Sequence, residues 1–227
     1  MSNPRKILVV DVGGTHVKCA VTGDDSPREF KSGPKMTPKR MTRQLLALTS
    51  DWRFDAVSIG YPGVVLHGKI VREPFNLGRG WVGFDFRAAL KRPVRIANDA
   101  VMQALGCYDG GKMLFLGLGT GLGSALIMDG IAAPMELGHL HCGPSRTYED
   151  LLGERGRKRV GDRRWRKRVD DVVQSLSRAL LPDYIVLGGG NARRLKRLPP
   201  NVRRGDNSYA FPGGVRLWDD KPVRGNR

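Results

Sequence analysis

Two glycine-rich turns, each flanked by short apolar runs, limit what this chain can fold into more than any other feature. The first, Asp11-Val12-Gly13-Gly14-Thr15-His16-Val17-Lys18, ties an expected strand at 6–12 to another at 17–21. The second, Gly119-Thr120-Gly121-Leu122-Gly123, ties expected strands at 113–118 and 124–128. Glycine has no Cβ, so the backbone turns sharply there and its N–H groups can approach the oxygens of an anion. Both turns lie between strands. That separates them from the Walker loop, where Gly-Lys-Ser/Thr opens a helix, and from the G-x-G-x-x-G turn between strand and helix. The repeat of strand, glycine turn and strand predicts two related α/β lobes, 1–105 and 106–227. A cleft is expected between them, with a hinge at 98–111.

The segments between these turns suit such a fold. A helical apolar pattern covers 37–48, and expected strands at 56–60 and 64–71 flank the turn Tyr61-Pro62-Gly63. Asn98 is placed to cap a helix running to Tyr108. Between 163 and 181, Trp165, Val169, Val172, Val173, Leu176 and Leu180 fall on one helical stripe. A strand at 184–187 meets Gly188-Gly189-Gly190, with a helix expected from Asn191. This third glycine run has the space to admit a nucleotide base or ribose, or serves as a close-packed turn.

Within the turns, Thr15 and Thr120 add hydroxyl donors, and Lys18 can neutralise a charged oxygen. Asp11, ending its strand, is suited to hold Mg²⁺ through water, since Mg²⁺ takes oxygen ligands and keeps much of its hydration. An ordinary glycine hairpin beside an incidental acid is the plainer alternative.

Charge bears on the partner. The 227 residues carry a net charge of +17, which favours a polyanionic partner without naming one. Nine Lys or Arg against two acids lie within 154–168, and six more basic residues lie within 193–204. A solvated cationic face is the alternative reading of these segments. With 40% hydrophobic residues the chain has the means to bury a core. The run at 7–10 is too short for a signal h-region, and no stretch approaches the length of a membrane helix. Cys19, Cys107 and Cys142 are scattered, as expected for a reducing, cytoplasmic setting.

Taken together, the motifs resemble the ROK family of sugar kinases and repressors, within the hexokinase–actin superfamily, and most nearly its polyphosphate glucokinase branch. The matching segments are 11–18, Tyr61-Pro62-Gly63-Val64-Val65 with His67-Gly68, 76–83, Asn98-Asp99-Ala100, 119–123, Glu136-Leu137-Gly138-His139 and 187–190. They follow the family's order through nearly the whole chain. The resemblance implies a two-lobed actin-like ATPase (ribonuclease H-like) fold and transfer of a phosphoryl group to a hexose, glucose foremost. It implies that Asp99 accepts the proton of the sugar hydroxyl. Asn98, Glu136 and His139 would bind the sugar, with Asn76 and Glu149 as further candidates. Asp11, Gly13, Gly14, Thr15 and Lys18 would surround the donor phosphates and Mg²⁺, together with Gly119, Thr120, Gly121, Gly123 and Gly188, Gly189, Gly190. Phosphoryl transfer runs through a loose transition state, so positioning and charge neutralisation carry most of the catalysis.

The chain also departs from the family pattern. Many relatives have a Cys-x-Cys-Gly-x-x-Gly-Cys segment that binds zinc together with the motif histidine. Here only Cys142 stands in that region beside His141, too few for four ligands, so no structural zinc is expected. The family's repressors carry a helix-turn-helix ahead of the first turn, whereas ten residues precede Asp11, so a kinase is expected rather than a nucleic-acid-binding repressor. The donor stays open between ATP and inorganic polyphosphate, for which 155–168 and 193–204 would furnish a positive track. The acceptor stays open among glucose, mannose, fructose and N-acetylhexosamines. A non-catalytic polyanion-binding protein on the same scaffold is the competing class. The resemblance further implies a homodimer.

Overall fold

The computed structural model describes residues 6–24 and 26–219. The chain divides into two compact units. Among the described residues, one comprises 6–102 together with 210–219, and the other comprises 103–209.

The first unit is built on a five-stranded sheet. Its strands are β1 (Ile7–Val12), β2 (His16–Val21), β3 (Arg28–Lys31), β4 (Ala56–Tyr61) and, further along the chain, Val94–Asn98, here β7. Their order is β3-β2-β1-β4-β7. β1, β2 and β3 pair antiparallel, while β4 lies parallel to β1 and β7 parallel to β4. Between β4 and β7, the expected strands at 64–71 reduce to a small hairpin, β5 (Val65–Leu66) and β6 (Lys69–Ile70). Its tight turn is made by His67 and Gly68, both at positive φ.

Alternation along β1 sends its residues to two cores. Leu8, Val10 and Val12 join a cluster with Met41, Leu45, Tyr61 and Trp81. Met41 and Leu45 come from helix α1 (Pro38–Leu48), which Thr37 caps by accepting from the Arg40 amide. A short helix, α2 (Phe86–Leu90), seals the same face. Ile7 and Val9 face the other way, onto Ala56, Met102 and Ala210. Ala210 opens helix α6 (Ala210–Arg216), which returns from the far end of the chain. Gly214 brings that helix onto Val9, with no room for a Cβ. Ser58 secures it by donating to the Gly214 carbonyl at 2.6 Å.

Helix α3 (Asp99–Cys107) follows β7 directly and carries the chain from the first unit into the second. The second unit repeats the sheet. Its strands are β8 (Lys112–Leu118), β9 (Leu122–Met128), β10 (Ile131–Met135), β11 (Tyr184–Gly188) and β12 (Val202–Arg204), ordered β10-β9-β8-β11-β12. Again three strands meander antiparallel and two follow parallel to the first. The duplication expected from the two glycine turns is therefore a duplication of topology.

One face of this second sheet is covered by α4 (Tyr148–Leu152) and α5 (Glu154–Leu180). Trp165, Val169, Val172, Val173 and Leu176 pack there on Leu114, Leu116, Ile185 and Leu187. The apolar stripe between 163 and 181 is that core face. The helix itself starts earlier, at Glu154, and breaks at Gly161, whose φ of 76° lies outside the helical region. The helix expected from Asn191 is a single 3₁₀ turn, Ala192–Arg194, because Leu195 leaves it in extended conformation.

Candidate functional site

In each unit the candidate residues gather at one edge of the sheet, outside the carboxyl ends of its parallel strands. That is where open α/β sheets bind ligands.

In the first unit, Asp11 on β1 is in register with Gly60 on β4, and Gly60 with Ala97 on β7. Asn98 and Asp99 follow at once. Two interstrand spacings put the β1 and β7 backbones about 10 Å apart there. Asp11 also pairs in register with Lys18 across the hairpin. Burial pushes the Asp11 carboxyl up to about 6, with Lys18 pulling the other way.

The first turn is held from behind. Gly13 donates its N–H to the His16 carbonyl at 2.9 Å, and a Cβ at Gly13 would lie 2.8 Å from that oxygen. The Ser32 hydroxyl donates to the Gly13 carbonyl at 2.5 Å, and the Ser32 amide donates to the Thr15 carbonyl at 2.8 Å. The Gly13, Thr15 and His16 carbonyls are thus engaged. The Gly14 and Thr15 amides have no hydrogen-bond partner among the described residues. A strip of backbone with its acceptors tied back and its donors open is an anion cradle. Exposed Asn76 flanks it, its Cβ 3.3 Å from where a Gly14 Cβ would stand, so any side chain at 14 would displace it.

Asn98 caps α3. Its Oδ1 accepts from the Ala100 amide at 2.9 Å and the Val101 amide at 3.4 Å, while its Nδ2 donates to the Gly63 carbonyl at 2.9 Å. Those bonds leave Asn98 one N–H for a ligand. Asp99 is half-buried in the first turn of α3, with one carboxylate oxygen 2.8 Å from the Ala100 amide.

In the second unit the same logic recurs with different parts. Gly119 donates to the Gly117 and Gly121 carbonyls. The Glu154 amide, at the start of α5, donates to the carbonyls of Gly119 at 3.1 Å and Thr120 at 3.2 Å. Asn191 Nδ2 donates to the Gly119 carbonyl at 3.3 Å, and the Asn191 amide donates to that of Leu118 at 2.9 Å. Once more the carbonyls are taken, and the Thr120 and Gly121 amides lack partners among the described residues. The third glycine run makes this possible. Gly189 has φ 79°, and a Cβ there would sit 2.5 Å from the Leu118 carbonyl oxygen. Only glycine satisfies both conditions. Gly153 is as tightly placed, 2.8 Å from the Thr120 carbonyl oxygen by the same measure.

The 3₁₀ turn Leu137–His139 leaves the sheet at this same edge, since Met135 pairs with Ser124 and Ser124 with Leu116. His139 Nε2 lies 3.7 Å from Glu136 Oε2, with both side chains more than half exposed. The two therefore share one face, as their spacing suggests. Gly138 between them packs on Leu122 and on the Glu149 Cβ, which would lie 3.6 Å from a Cβ at 138. Glu149, in the first turn of α4, turns its carboxylate onto Gly121 and accepts from the Leu122 amide at 3.2 Å. Glu136, His139, Glu149 and the second glycine turn thus form one cluster.

Sequence reasoning misses Ser32, Glu154 and Asn191, the groups that tie back the carbonyls. Ser32 sits in a polar link beside Gly33, where a serine attracts no notice, and Glu154 borders a cationic run. Asn191 reads as a helix start and nothing more. Among the described residues no group of three or more His, Cys, Asp or Glu is placed to share a metal ion, and no helix is long and apolar enough to cross a membrane.

The family model for ROK matches residues 7–147. Polyphosphate glucokinase of Mycobacterium tuberculosis (strain CDC 1551 / Oshkosh) is 30% identical over 213 residues, spanning 84% of this chain and 80% of that protein. N-acetylmannosamine kinase of Shigella flexneri is 30% identical over 140 residues, 55% of this chain and 48% of its own length. Among solved structures, an inorganic polyphosphate/ATP-glucomannokinase from Arthrobacter sp. strain KM is similar at a TM-score of 0.80 and 23% identity, covering 93% of this chain and 97% of that one. A ROK family glucokinase from Streptomyces griseus, in complex with glucose and AMPPNP, gives a TM-score of 0.69 at 18% identity, with 93% and 98% covered. At these identities the two structures speak to fold, which is two-lobed and actin-like.

Proposed function

The chain belongs to the ROK family, and from that premise we propose that it is a glucokinase-type phosphotransferase, carrying a phosphoryl group from inorganic polyphosphate or ATP to glucose. One observation carries the reading. Two glycine turns, at equivalent places in a duplicated fold, each have flanking carbonyls bonded away and two adjacent amides left to meet an anion.

In this reading Asp99 accepts the proton of the sugar hydroxyl as that oxygen attacks the terminal phosphorus of the donor. The bond from phosphorus to the bridging oxygen breaks, leaving ADP or a polyphosphate shorter by one unit. Asn98 positions Asp99 through the cap it forms, with its remaining N–H turned to the sugar. Glu136, His139, Glu149 and Asn76 bind hydroxyls, and a site that pairs each hydroxyl discriminates against analogues lacking one. Gly13, Gly14, Thr15 and Lys18 receive donor phosphates. Gly119, Thr120, Gly121 and Gly123 do the same, with Gly188, Gly189 and Gly190 behind them.

Mg²⁺ fits Asp11. An ion that keeps most of its water and takes phosphate oxygens needs only one or two carboxylates, and Asp11 supplies one. When bound, Mg²⁺ would neutralise charge on the transferring group. The proposal includes a cytoplasmic homodimer, and it assigns the exposed basic residues within 155–168 and 193–204 to a polyphosphate chain.

A screen of hexoses against ATP and polyphosphate with Mg²⁺, reading sugar phosphate, tests the proposal. Glucose with at least one donor should turn over. No turnover with any pair would overturn it. For polyphosphate, KM should rise with salt as released counterions lose their entropic advantage, while the glucose KM stays level.

A further inference from the structure

We propose that Arg157 is a positioning residue for the second glycine turn. Acting through Glu154 and Asn191, it fixes the Gly119 and Thr120 carbonyls and so keeps the Thr120 and Gly121 amides presented to the donor. The inference rests on the reading that donor phosphates meet this turn.

The chain of contacts is continuous. Glu154 bonds the turn through its amide, and its carboxylate is gripped by Arg157 as a fork, Nε to Oε2 at 3.0 Å and Nη2 to Oε1 at 2.8 Å. Asn191 lies near enough to help hold the Glu154 carboxyl down, and its side chain donates to the same Gly119 carbonyl that the Glu154 amide bonds. The free arm of Arg157 reaches Asp162, Nη1 to Oδ1 at 2.7 Å. Asp162 stands where it does because α5 breaks at Gly161 and resumes, turning that carboxylate back along the helix. Arg194 and Arg166 approach its other oxygen at 3.6 and 4.0 Å, and Lys158 approaches Glu154 at 3.4 Å.

Exposed ion pairs contribute little, because solvent screens them and long side chains resist ordering. Arg157 differs, with a side chain only 13% exposed and three of its nitrogens engaged. A planar guanidinium spans two carboxylates at fixed angles, which an ammonium cannot do.

Hydrogen exchange of the unliganded protein, read at the Glu154 and Asn191 amides, tests the positioning directly. Arg157→Ala should raise exchange there at least tenfold, with the core of β8 and β11 unchanged. In kinetics the donor KM should rise about tenfold while the glucose KM stays within twofold. Arg157→Lys should behave like the alanine variant. Asp162→Asn, which removes one anchor, should shift both readouts the same way by about threefold, and it serves if Arg157→Ala fails to fold. Unchanged exchange at both amides, or donor and glucose KM values that move together, would overturn the proposal. A wild-type protein without turnover would sink the kinase reading alone, since the exchange result does not depend on it.

Discussion

The Leu122 amide donates to the carboxylate of Glu149 across 3.2 Å, so a residue assigned to the sugar also secures one end of the second glycine turn. In the proposed function, sugar and donor would be coupled through this one side chain. Glu149→Ala should weaken both, raising the glucose KM and the donor KM each by about tenfold. Glu149→Gln keeps an oxygen able to accept from Leu122 and should spare the donor KM while the glucose KM still rises. Steady-state kinetics with each substrate varied in turn separates the two effects.

Asp99 is tested by charge removal at constant shape. Asp99→Asn should lower kcat by roughly 10²–10⁴, the usual worth of a positioned general base, while calorimetric glucose binding stays within about threefold. Retained turnover would return Asp99 to the role of a helix-start carboxylate.

Gly189 combines positive φ with a backbone oxygen where a Cβ would be. Gly189→Ala should cost about 2–5 kcal/mol, summing backbone strain and overpacking. Thermal melts should show a drop of several degrees for this variant. Gly190→Ala should be nearly neutral, since no atom lies within 4 Å of a Cβ there.

The Arg157 fork holds the Glu154 carboxyl down at about 2, below its ordinary 4.5. The folded state therefore binds that proton less readily than the unfolded chain. The resulting stability is present above about pH 4.5 and is lost as pH falls toward 2. Acid unfolding followed by circular dichroism should show a shallower loss over that window in Arg157→Ala than in the wild type.

The glycine turns are legible in the sequence because their meaning is local: clustered glycines between short apolar runs mark a sharp turn between strands. The apolar stripe from Trp165 to Leu180 is legible for the same reason. Groups acting at long range are not. Ser32 reaches the first turn from 19 positions away, and Asn191 reaches Gly119 across 72. No period announces such contacts. Glu154 and Asp162 are hidden inside a run of cations whose plainest reading is a solvated face, and the break at Gly161 that aims Asp162 depends on a backbone angle. The candidate residues can be named from the sequence, whereas the bonds holding the two turns in shape emerge only from the fold.

Helix α6 supplies Ala210 and Gly214 to the first sheet from more than a hundred positions downstream of Met102. On a ribosome, which delivers the chain from its amino end, the second unit can be sealed while Ile7, Val9 and Ala56 still lack that cover. The first unit, begun earliest, is finished last, and a nascent chain stalled before residue 210 would leave an oily sheet face for chaperones to shield.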